Sequence, residues 1–118
     1  MDEILKQSLL YDFYGELLTE HQKEIYEQFI VEDLSLSEIA KDAGISRQGV
    51  HDLIKRCNKI LEEYEEKLHL VERFLCIKEK VHQMNALLEE PDFEESHTDE
   101  GQLIQQIKKI SEEIIEEL

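Results

Sequence analysis

Apolar residues recur along this chain at helical spacing, and helix start and stop signals lie between them. Leu10, Phe13, Tyr14, Leu17 and Leu18 fall at i, i+3, i+4, i+7 and i+8, one face of a helix from about Glu3 to Leu18. Thr19 stands three residues before Gln22, a capping-box pattern. It opens a second helix, with Ile25, Tyr26, Phe29 and Ile30 on its inner side and an end near Val31. Ser35 and Glu38 repeat the box, with Leu34 and Ile39 at hydrophobic-staple positions. The third helix therefore starts at Leu36 and runs to about Asp42. Gly44 suits the left-handed residue that ends such a helix. Ser46 can cap the next one, with Ile45 and Val50 again at staple positions. Two capped helices joined by a few residues that include Gly make a helix-turn-helix.

The helix that follows Ser46 has no obvious end. Val50, Ile54, Cys57, Leu61, Tyr64, Leu68 and Val71 alternate spacings of four and three, a heptad seam. Beyond Val71 the seam shifts to Phe74, Ile77, Val81, Met84 and Leu88, so a bend or a break is expected near His69–Leu70. Pro91 ends this region, and "PDFEESHTDEG" reads as an acidic loop. A last helix, about Gln102–Leu118, presents Leu103, Ile107, Ile110, Ile114 and Leu118 along one face. No stretch alternates as a strand does, and no internal repeat is evident. The pattern predicts an all-α fold: a helical helix-turn-helix domain over residues 1–70 and an extended, acidic helical half over residues 71–118, suited to oligomerisation or partner binding.

Composition sharpens this picture in three ways. Gly is 4 and Pro is 1 in 118 residues, which leaves few turns. No apolar run approaches the roughly 20 residues needed to cross a bilayer, and the N-terminus has no basic segment before an apolar one, so neither membrane insertion nor a signal peptide is expected. Cys57 and Cys76 both sit in helical patterns and read as reduced core thiols of a cytoplasmic protein. The formal net charge is -16, but it is unevenly placed. Residues 1–34 are net -7 and residues 60–118 net -11, while Ser35–Lys59, which holds the helix-turn-helix, is net +2.

That basic block has the chemistry of a groove reader. A duplex major groove admits one helix, and the turn fixes a second helix so that its N-terminal residues face base edges. Ala40 lets the two helices approach, and Ile39, Ile45, Val50 and Ile54 fill the space between them. That leaves Arg47, Gln48, His51, Asp52 and Lys55 towards the outside. Arg can bond guanine bidentately and Gln can do the same with adenine. Lys55, Arg56 and Lys59 are placed to neutralise phosphates, and Ser46 to cap its helix and touch a phosphate as well. A solvated polar helix face would carry the same residues. The candidate nucleic-acid-binding set is thus Ser46, Arg47, Gln48, His51, Asp52, Lys55, Arg56 and Lys59, with duplex DNA as the expected partner.

Three stretches, "LLYDFYGELLTEHQKEIYEQF", "EDLSLSEIAKDAGISRQGVHDLIKR" and "KILEEYEEKLHL", resemble the YlxM-like family of small bacterial helix-turn-helix proteins. The helix-turn-helix itself is similar to region 4 of bacterial sigma factors. The resemblance spans about Leu9–Leu70. It implies a DNA-binding regulatory protein with a link, through gene neighbourhood, to the signal recognition particle. Gly49 stands where the family usually has Ala or another helix former, and Gly costs about 0.5–1 kcal/mol inside a helix. A protein-interaction adaptor of the signal recognition particle that binds no DNA is the alternative reading.

Other chemistry is thinly represented. "EKLH" (Glu66–His69) and "EKVH" (Glu79–His82) fit Glu-x-x-His, but on one helix their histidines would lie about 20 Å apart. With no phosphate loop and no nucleophile beside a recognisable base, no cofactor, no metal and no enzyme activity are expected. The apolar stripes beyond Val71 need cover that the rest of the chain does not supply, so a homodimer built by the second half is expected.

Overall fold

The computed structural model describes residues 2–89 and 99–117. Among them are six α-helices and no strand: α1 Glu3–Tyr14, α2 Glu20–Ile30, α3 Leu36–Ala43, α4 Arg47–Leu68, α5 Leu70–Leu88 and α6 Asp99–Glu117. The chain forms two compact units, Met1–Val71 and Glu72–Leu118.

In the first unit α4 is the common partner against which α1, α2 and α3 pack. Leu10, Tyr14, Leu18, Ile25, Tyr26, Ile39, Val50, Ile54, Cys57 and Leu61 are buried there. The local signals hold. Thr19 accepts from the Gln22 N–H while the Gln22 side chain accepts from the Thr19 N–H, and Ser35 and Glu38 make the same reciprocal pair. Gly44 ends α3 at φ 71°, where an L side chain is strained. The first helix departs from expectation. It leaves α geometry at Tyr14, and Gly15–Leu17 tighten into a 3-10 turn. A Cβ at Gly15 would stand 2.8 Å from the Tyr11 ring, so the tight turn requires glycine. It carries Leu18 into the core and turns Leu17 out to solvent. Tyr11, absent from the expected stripe, is buried instead, its ring 5.5 Å from that of Tyr26.

The expected seam along α4 is buried as far as Leu61. Tyr64 then stacks on Tyr14 at 6.0 Å, and Leu68 turns outward. The helix stops at His69, which takes the left-handed conformation at φ 56°. A side-chain clamp holds this break. Tyr14 Oη donates to Glu65 Oε1 at 2.6 Å and accepts from the Leu70 N–H at 3.1 Å. Glu65 Oε1 also accepts from the Val71 N–H at 2.9 Å. The opening N–H groups of α5, which no helix satisfies internally, are thus capped by a phenol and a carboxylate.

In the second unit the apolar stripes read from the sequence are only partly covered. Val81 is buried and Phe74 and Leu88 half-buried, but Ile77 and Met84 are exposed. Helix α6 starts at Asp99, so the end of the expected acidic loop is helical. Its buried residues are Gly101 and Ser111, flanked by half-buried Ile104, Lys108 and Ile115. Leu103, Ile107, Ile110 and Ile114, four members of the apolar face read from the sequence, are exposed. Lys108 Nζ lies 3.2 Å from Glu89 Oε1. That ion pair links the residue after α5 to the middle of α6. Cys76 is exposed rather than part of a core, because position 76 falls off the buried stripe of α5; Cys57 is buried, and both are free thiols. Pro91, residues 92–98 of the acidic loop, and Leu118 lie outside the described residues.

Candidate nucleic-acid interface

The start of α4 is fixed from both sides. Behind it, Ile39 of α3 and Val50 and Ile54 of α4 are buried between the two helices. Ile45 does not fill that space; it is exposed, and it stands over the first turn of α4 near Gly49. In front, Ser46 Oγ accepts from the Gly49 N–H at 2.9 Å and caps the helix. Glycine cannot return the bond that Gln22 and Glu38 return in α2 and α3, so this cap is single.

All eight candidate residues, Ser46, Arg47, Gln48, His51, Asp52, Lys55, Arg56 and Lys59, are exposed. With Val50, Ile54 and Cys57 facing inward, they divide into two rows along α4. Arg47, His51 and Lys55 form one, a turn apart. Gln48, Asp52, Arg56 and Lys59 form the other. Asp52 ties the rows together: its Oδ1 accepts from Gln48 Nε2 at 3.0 Å and lies 3.6 Å from His51 Nδ1. The Gln48 amide is thereby held in one orientation, with its oxygen and one N–H still available.

Neighbouring helices widen the surface. A shallow hollow beside the first row is lined by Leu36, Arg47, Gln48 and His51. Another, beside the second row, is lined by Thr19, His21, Gln22, Gly49, Asp52, Leu53 and Arg56. The capped start of α2 thus borders the start of α4. The capping box at Thr19 marks that helix start in the sequence, but no local signal places it next to Arg56. From Arg47 to Lys59 the helix carries 4 basic residues and 1 acidic residue. At physiological salt, charges are screened over about 8 Å, so this local excess governs contact while the -16 of the chain governs approach.

Gly49 offers a test of the local backbone. It is helical, and an added Cβ would meet Ser46 Oγ at 3.1 Å, a close but movable contact. The Ser35 cap tolerates a Cβ at the equivalent position, Glu38. Gly49→Ala is therefore expected to raise stability by a few tenths of a kcal/mol, about half the usual gain in propensity. A fall in melting temperature would show that the Ser46 cap cannot yield.

The sequence profile of the UPF0122 family, described as YlxM / p13-like helix-turn-helix proteins, matches residues 1–110. A UPF0122 protein of Acetivibrio thermocellus is 39% identical over 116 residues, 98% of this chain and 99% of that protein. One of Caldanaerobacter subterraneus is 46% identical over 87 residues, 74% of each chain. A third, of Clostridium novyi, is 49% identical over 73 residues, 62% of this chain and 64% of that protein.

Proposed function

This chain belongs to the YlxM/p13-like family of helix-turn-helix proteins, and we propose that it is a regulatory protein that binds duplex DNA as a two-fold dimer in the cytoplasm. The observation that carries the reading is the exposed, capped start of α4, net basic in a chain of charge -16 and backed by a buried apolar face. In this reading α4 enters the major groove. Arg47 bonds a guanine and Gln48, oriented by Asp52, an adenine, while Asp52 itself can accept from a cytosine amino group. His51 lies between these residues and Lys55 along the groove. Ser46, Lys55, Arg56 and Lys59 hold phosphates, with His21 beside Arg56. No residue is assigned a catalytic role.

Selection of bound sequences from a random duplex pool at about 0.1 M salt tests it. An enriched motif is expected. Arg47→Ala should weaken binding to that motif by about 1–3 kcal/mol and relax preference at one position. Lys55→Ala should weaken all sequences about equally and flatten the salt dependence by about one unit of slope. If no motif emerges and both variants bind DNA as the unmodified protein does, the reading is wrong.

A second reading has its own support. Apart from the helix-turn-helix, both ends of the chain are strongly acidic, which suits a basic protein partner better than a polyanion. Together with the family resemblance, this favours an adaptor that docks on a component of the signal recognition particle. Partner binding that survives charge reversal at Lys55 and Arg56 would select it over DNA binding.

A further inference from the structure

We infer that Asp52 makes the base choice of Gln48 depend on the protonation of His51. This deepens the DNA-binding reading and rests on it for its consequence, while the coupling among the three side chains stands without DNA.

The three residues meet on one atom. Asp52 Oδ1 accepts from Gln48 Nε2 at 3.0 Å, and His51 Nδ1 lies 3.6 Å from the same oxygen. The first distance is a hydrogen bond; the second is too long for one. Gln48 and Asp52 are four residues apart and share a row on α4, so their bond needs no distortion. His51 directly precedes Asp52, and successive side chains diverge by about 100° around a helix. Asp52 can therefore close on His51 only by leaning out of its own row, away from Gln48.

Charge decides which way it leans. A neutral imidazole carries a hydrogen on one nitrogen, an imidazolium on both. With His51 protonated, Nδ1–H meets the carboxylate with the attraction of opposite charges, which the neutral Gln48 amide lacks. Held by Asp52, Gln48 presents its oxygen and one N–H outward, the acceptor and donor that pair with adenine N6 and N7. Released, the amide turns and offers donors or acceptor to any base edge. Histidine is the side chain whose ordinary range lies between about pH 5 and 8, where carboxylates ordinarily stay ionised.

The surroundings show which groups a test must separate. Around His51, α1, α2 and α3 contribute Gln7, Phe29 and Leu36, none of them titratable, and α4 itself contributes Arg47 and Lys55. On its other side Asp52 shares a hollow with Arg56 and, at the start of α2, with Thr19, His21 and Gln22. His21 is thus a second histidine facing that side of Asp52.

NMR of the full chain between about pH 8 and 5.5 tests the coupling. The side-chain amide signals of Gln48 should move with the same midpoint as the His51 ring. They should lose this movement in His51→Gln and in Asp52→Asn, and keep it in His21→Gln. All four side chains are exposed, so these variants leave the core untouched. A Gln48 amide indifferent to pH, or one that still follows pH in His51→Gln, overturns the proposal. On the duplex motif from the pool selection, the same fall in pH should tighten binding to every sequence, because protonated His51 adds a cation between Arg47 and Lys55. At the position whose preference Gln48→Ala relaxes, the ratio of affinities for adenine and guanine should fall about threefold, the scale of an exposed ion pair. In Asp52→Asn that ratio should be the same at both pH values. A ratio that ignores pH in the unmodified protein overturns the effect on base choice. If no motif emerges, the DNA reading fails and takes the base choice with it, while the amide titration still decides the coupling.

Discussion

Replacing Tyr14 with Phe is expected to lower the unfolding free energy of the first unit by about 2 kcal/mol, although it removes a single oxygen. That oxygen is buried, with the whole residue 1% exposed. It donates to the Glu65 carboxylate and accepts from the Leu70 N–H, so its loss strips a donor from a charged group and orphans a backbone donor at the start of α5. Bonds to charged groups are worth about 1.5–3 kcal/mol, and a buried unsatisfied donor costs about as much. In a unit this small the melting temperature should fall by about 10 °C. Glu65→Gln should cost less, because an amide oxygen can still accept from both Tyr14 and Val71. Urea unfolding with an unchanged m-value would measure both. A loss below about 0.5 kcal/mol for Tyr14→Phe would mean that water replaces the phenol and that the clamp contributes little to holding the break at His69.

This clamp was not legible in the sequence, and the reason is physical. Tyr14 and Glu65 are 51 residues apart, and neither belongs to a local motif that announces the other. The capping boxes at Thr19 and Ser35, the left-handed Gly44 and the Ser46 cap could be read directly, because each is a bond between residues three or four apart. The interruption near His69–Leu70 showed only as a change of register. Its cause, a left-handed His69 stabilised from α1, belongs to tertiary structure.

The second unit marks the other limit of pattern reading. In α6 two stripes overlap: Leu103, Ile107, Ile110 and Ile114, and the neighbouring Gly101, Ile104, Ser111 and Ile115. Hydrophobicity favours the first as the inner face. The second is the one that is buried or half-buried, and two of its four members are small. The same error made Cys76 a core residue. At the candidate interface, sequence spacing put Arg47, Gln48, His51 and Lys55 on the outer face of α4, where they lie. It could not supply the bond from Gln48 to Asp52, which depends on side-chain rotamers, or the approach of His21 to that surface, which depends on how α2 packs on α4.

Raising the pH above about 9 is expected to unfold the first unit progressively, because its core is built around acids that must stay neutral. Burial pushes the Cys57 thiol from 9.0 up to about 11, against a small opposing pull from Arg56. The Tyr26 phenol, bonded to Asn58, is raised by burial first and then by nearby acidic groups. Tyr11 is raised by burial and by Glu27, and Tyr14 by burial and by Glu65. In every case the folded state keeps its proton to higher pH than the unfolded chain does. Stability from these groups is therefore complete below the unfolded values and is lost as pH rises through the folded ones. For Cys57 the window runs from 9.0 to about 11, and the phenols add to it from 10.0 upward. One pKa unit is about 1.4 kcal/mol, so the thiol alone should cost about 2–3 kcal/mol by the top of its window. Melting temperatures followed from neutral pH into this range should begin to fall near the lower edge and drop steeply beyond 10.0. Cys57→Ala should start from a lower melting temperature, because it leaves a cavity, but should delay the onset until the phenols titrate. That comparison isolates the contribution of the thiol. An unchanged onset in the variant would show that Cys57 is hydrated when ionised and that the phenols alone set the alkaline limit.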